Sequence, residues 1–228
     1  MPRAMAASLV LPDSKYSDMT ILCEGHSWDV HAVIVCPQSS VLEDAWDSDH
    51  TAFYSKQNPE VLQAAIEFFY SENYREATGG KAATSTCSVV FHARVYDVAE
   101  YLHAPSLMIM AAGKFQKACE DLWASDGFAL LAKAIYCGTE LDGRRFKNDH
   151  DELHIRFLAV AKAHAADLFR FQAVGREFRD TLRRIPALHT LSFELAEALA
   201  SQLRLADRRC AAIGLAEAEA EPVMTDVS

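Results

Sequence analysis

Between Tyr16 and Cys36 the chain reads YSDMTILCEGHSWDVHAVIVC, and no other stretch limits the fold as strongly. Met19, Ile21 and Cys23 alternate with Thr20 and Leu22; Glu24-Gly25 supplies a turn, and Trp28 and Val30 resume the alternation. Successive side chains on a strand point to opposite faces, so the pattern predicts a hairpin with one buried face. After His31 the alternation gives way to the apolar run Ala32-Val33-Ile34-Val35-Cys36, closed by Pro37. That run predicts a short buried helix.

Helix signals follow in order. Ser40-Val41-Leu42-Glu43 fits a capping box, the hydroxyl accepting an amide while Glu43 reaches back. This helix is expected to end near Trp46, because Asp47-Ser48-Asp49-His50 favour a turn. Thr51 to Tyr54 then serves as a short third strand. Asn58-Pro59-Glu60 is a strong start, with a capping side chain, a proline where its missing amide is harmless, and an acid at the positive end of the dipole. Val61, Leu62, Ala65, Ile66 and Phe69 share a face of that helix, which is expected to stop near Tyr70, and Ser71 to Tyr74 form the turn.

Residues 77–88 are small and polar and read as a surface loop. Helical spacing returns through about Leu102, and Pro105 opens a helix whose apolar stripe runs from Leu107 to Leu122. Ser125 or Asp126 caps the next one. Residues 138–151 are a charged break, Glu152 to Arg184 is helical with an interruption at Gly175, and residues 191–205 give one more amphipathic helix. The expected fold is α+β: a hairpin plus a short third strand, covered by helices, and then a mostly helical region. The corresponding division is a flexible lead at 1–14, a core domain at 15–124, a helical extension at 125–208 and a disordered tail at 209–228.

Charge narrows the function. Lys and Arg total 22 against 32 Asp and Glu, a formal −10, and a surface of that sign repels phosphate backbones. Nucleic acid is not an expected partner. No stretch approaches the ~20 apolar residues that span a bilayer, so no membrane association is expected. The six cysteines are scattered without a C-x-x-C pair, mostly on apolar stripes, which suggests a reducing compartment, cytoplasmic or nuclear.

Catalytic motifs are missing. There is no glycine-rich phosphate loop, no G-x-S-x-G and no H-E-x-x-H. Cys23, His26, His31 and Cys36 lie close in sequence, but alternation along the strand sends Cys23 and His26 in poorly related directions, so packing is the better reading than zinc. His150, Asp151 and His154 read as a charged helix start. Cys119 lies on an apolar stripe and reads as an inert thiol, although Lys114 and Lys117 are near. Ser48, Asp49 and His50 are adjacent in a turn and cannot converge as a triad. No catalytic residue, metal ligand or cofactor is expected.

The same residues resemble a known family. An aromatic-Ser-Asp-x-Thr-Ile strand, a second strand ending in Val-His, then x-x-Val-x-x-Cys and a Ser-rich turn is similar to the opening of a BTB/POZ domain. Phe68-Phe69-Tyr70-Ser71-Glu72-Asn73-Tyr74 resembles the family's Y-L-Y-T-G-x-Y helix end, and Phe91 to Tyr101 resembles its next helix. The order and spacing are closest to the fungal branch, over about Lys15 to Leu205.

The resemblance implies an assembly or adaptor module that acts through other proteins, by self-association or on a cullin scaffold of a ubiquitin ligase. Asp18, His31, Phe69, Tyr70 and Tyr74 are its motif positions. Where self-associating members pair the Asp18 acid with a basic residue after Val-His, this chain has Ala32, and where such dimers have a longer leading helix it has little room; both imply a monomer or weak dimer. Cullin-binding members carry a hydrophobic-x-Glu signature after the second helix. Here that connection is shortened, and Trp46-Asp47, with Tyr70 and Tyr74, form the candidate partner interface. An enzyme or ligand-binding protein with a pocket between the core and the final helices is the alternative from another class.

Overall fold

The computed structural model describes residues 15–54, 57–76, 85–141, 143–146, 151–169 and 175–220. The expected lead at 1–14 and most of the 77–88 loop lie outside them. Strand β1 (Met19–Cys23) runs antiparallel to β2 (His26–Val30), and β3 (Thr51–Phe53) pairs in parallel with β1, giving the order β2-β1-β3. The register sets Met19 opposite Val30 and Ile21 opposite Trp28, all buried. A one-residue slip would turn this whole apolar set toward solvent. Glu24 and Gly25 both have positive φ, 44° and 81°, the conformation that a two-residue turn between twisted strands demands.

Helix α1 (Ala32–Val35) and a 3-10 turn (Cys36–Gln38) lead into α2 (Ser40–Asp49). Two details of α2 differ from expectation. Its cap is Ser39, not Ser40: the Ser39 hydroxyl accepts the Leu42 amide at 3.2 Å and donates to the Leu102 carbonyl at 2.6 Å. It also runs past Trp46 to Asp49, because Ser48 bonds back to the Asp44 carbonyl and left-handed His50 closes the helix against Trp46, ring centroids 3.9 Å apart.

Helix α3 (Pro59–Ser71) begins where the capping residues predict, with the Asn58 side chain accepting the Glu60 amide at 2.8 Å. Helices α4 (Ser85–Tyr101) and α5 (Pro105–Leu122) pack on one another, and α4 packs on α3. Residues 85–88, expected in a loop, form the first turn of α4. Helix α6 (Asp126–Cys137) follows. The charged break then contains a two-residue ladder, β4 (Glu140–Leu141) with β5 (Arg144–Arg145).

Helices α7 (Asp151–Ala163), α8 (Ala165–Phe169), α9 (Arg176–Arg184) and α10 (His189–Ala220) complete the order, a 3-10 turn at Pro186–Leu188 preceding α10. The backbone of α10 extends beyond residue 209, where a tail was expected; its Ala and Glu residues are strong helix formers. The extension shares the core: α7 packs on α5, and one buried cluster runs from Met19 to Leu195, with Phe128 stacked on Phe157 at 4.8 Å and tilted against Phe178 at 5.4 Å. Among the described residues, no helix is long and apolar enough to cross a membrane.

Candidate functional site

The motif residues from the hairpin and from α3, far apart in sequence, meet at the junction of β2 and α1. The backbone amide of His31 donates to the Tyr70 hydroxyl at 2.8 Å, and His31 Nδ1 lies 2.8 Å from the same oxygen. His31 Nε2 is 3.1 Å from the Lys15 carbonyl, which can only accept. Nε2 therefore carries the hydrogen, Nδ1 accepts, and Tyr70 donates into it. Burial raises the Tyr70 phenol above its ordinary pKa, and the His31 amide opposes this. The histidine joins the hairpin to the end of α3.

Asp18 belongs to the same junction. Its carboxylate accepts the Ala32 amide at 2.8 Å, so it serves the open N-terminus of α1. Asp18 is exposed in this chain, and water solvates the charge that a missing basic partner would otherwise leave bare.

Tyr74 turns inward. Only 2% exposed, it cannot be a partner contact, which corrects that part of the candidate interface. Phe69 is buried as well, and Tyr70 is half-buried with its hydroxyl committed to His31. The turn after α3 folds Tyr74 against Phe91 and His92 of α4. Its hydroxyl is 2.9 Å from His92 Nδ1, His92 Nε2 is 2.9 Å from Glu76, and Ser88 donates to the same Glu76 oxygen at 2.6 Å. Lys114 donates to Asn73 and to the Tyr74 carbonyl while its ammonium stands 3.9 Å from the centre of the Tyr74 ring, a cation–π contact.

This cluster lines a cleft of about 320 Å³ between the start of α4 and the middle of α5. It contains Ser, His and Glu, yet in the wrong order for nucleophilic catalysis. A triad needs serine on histidine and histidine on the acid, whereas here both Ser88 and His92 bond to the acid. Burial drives the Tyr74 phenol far above its ordinary pKa, with Glu76 adding to the effect, so it stays protonated. Burial also lowers His92, Lys114 contributing, while Glu76 pulls the other way. The arrangement is a clamp on Tyr74 and on the end of α3.

Outward, Asp47 is exposed beside half-buried Trp46. Sequence reasoning missed three prominent surface groups: Tyr16 (82% exposed), Val33 (80%) and Phe53 (70%). Phe53 was legible, since alternation along β3 buries Ala52 and must turn Phe53 out.

The other sequence candidates go to packing. Cys23 donates to the Gln57 carbonyl at 3.1 Å, Cys36 to that of Leu42 at 3.6 Å, and His154 sits edge-on to Tyr136 at 4.3 Å. Cys119 is fully buried, which pushes its thiol well above the usual value. Asp49 accepts the Thr51 amide at 3.0 Å, and His150 lies outside the described residues. No group of three or more His, Cys, Asp or Glu among the described residues is placed to hold a metal. No protein-family model matches the chain, and no curated protein matches it either.

Proposed function

We propose that the chain is a non-enzymatic protein-interaction module of BTB/POZ type, acting as an assembly or adaptor domain. The contact between His31 and Tyr70 carries this reading, because it joins the two stretches on which the resemblance rests. A hairpin extended by a parallel third strand and covered by helices is consistent with it. So is the backbone of Glu72. The glycine of the family's Y-L-Y-T-G-x-Y pattern falls on Glu72, and this residue adopts φ 55° and ψ 18°, the left-handed conformation that glycine enters without strain.

The partner surface in this reading is the outer side of β3 and the end of α2, where Phe53 and Asp47 are exposed. A cullin scaffold or a second copy is the partner it names. Light scattering on the full chain and capture on an immobilised cullin amino-terminal region test it together. Binding in either assay, weakened by Phe53→Asp or Asp47→Lys, supports the module. A chain that stays monomeric at every concentration and ignores the cullin region loses both named partners, and the reading with them.

A further inference from the structure

The chain is acidic overall, but α9 is not: Arg176, Arg179, Arg183 and Arg184 stand against Glu177 and Asp180. Two of the arginines are engaged locally. Arg179 donates to the Leu168 carbonyl at 2.6 Å, and Arg184 reaches Asp180 at 3.9 Å. Arg183 is exposed and makes no ion pair or hydrogen bond with the described residues, and neither does His189. Both line a cleft of about 380 Å³ with Arg179, Ser192, half-buried Phe169 and buried Leu182.

Its chemistry is divided. Phe169 and Leu182 give the cleft an apolar lining, and the unpaired guanidinium of Arg183 and the imidazole of His189 line it too. A planar guanidinium with open donors matches a carboxylate, and the apolar lining excludes water from an apolar group beside it. We propose that this cleft docks an acidic peptide segment of a partner protein, a Glu or Asp carboxylate on Arg183 with a neighbouring Leu or Phe side chain on Phe169 and Leu182. Charge complementarity selects this occupant: α9 carries four arginines against two acids, and the exposed guanidinium of Arg183 in this cleft matches a carboxylate, while the net charge of −10 over the chain repels a long phosphate backbone. The inference rests on the interaction-module reading and adds a second face to it, remote in sequence from β3 and α2.

Short random peptides displayed on phage and panned on the full chain test it. Enrichment of Glu or Asp next to Leu or Phe is expected, and synthetic versions of the enriched peptides should bind on the order of tenfold more weakly to Arg183→Glu and to their own Gln or Asn counterparts. Arg183 is exposed, so this variant folds; Arg75→Glu, a charge reversal at another surface, should leave binding unchanged. Enriched peptides without an acid, or binding indifferent to Arg183→Glu, overturn the proposal. It is likewise overturned if a single-stranded oligonucleotide or an anionic lipid vesicle binds Arg183 as tightly, or if Arg183→Glu alters the oligomeric state of the free chain. Cullin capture or self-association that persists in Arg183→Glu separates failure of this inference from failure of the module reading.

Discussion

The hydroxyl of Tyr70 accepts the backbone amide of His31 and donates to Nδ1 of the same residue, both at 2.8 Å, tying the end of α3 to the start of α1. One phenol thus satisfies two polar groups in a part-buried setting. Tyr70→Phe removes one side of both bonds, and a buried group left without its partner costs about 1–3 kcal/mol. Urea unfolding of this variant should show an unchanged slope and a midpoint lowered by that free energy divided by the slope. An unshifted midpoint would mean that water replaces the phenol at no cost.

Glu72 ends α3 in the left-handed region, its amide donating to the Phe68 carbonyl at 2.8 Å. The left-handed form costs an L-residue about 1–2 kcal/mol that glycine does not incur. Glu72→Gly should therefore raise the thermal midpoint, despite the extra freedom it gives the unfolded chain. Calorimetry of the two proteins decides the matter, and a lower midpoint would show that the Glu72 side chain contributes more than its backbone strain costs.

Legible in the sequence is what depends on neighbours along the chain. The hairpin of Met19 to Val30 follows from period-two alternation over a single buried face, and α3 from Asn58 and Pro59, whose capping chemistry is local. Ser39 and Ser40 are indistinguishable in sequence. The choice of cap falls to Ser39 because its hydroxyl also meets the carbonyl of Leu102, 63 residues away. The β4–β5 ladder lies among charged residues with no apolar rhythm to announce it. Nor does any spacing reveal that Tyr74, in a polar turn, would fold beneath His92, because that contact is made only when α4 packs on α3.

Gly175 precedes α9 with φ 76°, and a Cβ there would stand 2.8 Å from the Leu168 carbonyl oxygen and 3.3 Å from Arg179 Nη1. Positive φ and backbone crowding act in the same direction, and the carbonyl cannot swing away as a side chain end would. Gly175→Ala should cost about 1–3 kcal/mol. Because Arg179 binds that same carbonyl, the substitution should also speed hydrogen exchange of the α9 amides. Exchange unchanged in α9, with stability intact, would show that α8 and α9 can separate without loss.

His92 makes stability depend on pH with a definite sign. Its ring meets Tyr74, Glu76 and, across the cleft, Lys114, and burial holds its pKa below the ordinary 6.5 while Glu76 only partly offsets this. A histidine whose folded value is depressed takes up its proton more readily once unfolded. Its contribution is therefore complete above about pH 6.5 and is lost as the pH falls below that, through the window down to the folded value. His92→Gln keeps an amide that can bond to Tyr74 and Glu76 but cannot titrate. Denaturant unfolding from about pH 7 down to about pH 5 should show the wild-type chain losing stability more steeply than this variant. Parallel curves would mean that Glu76 compensates His92 fully, and that the clamp on Tyr74 is indifferent to acid.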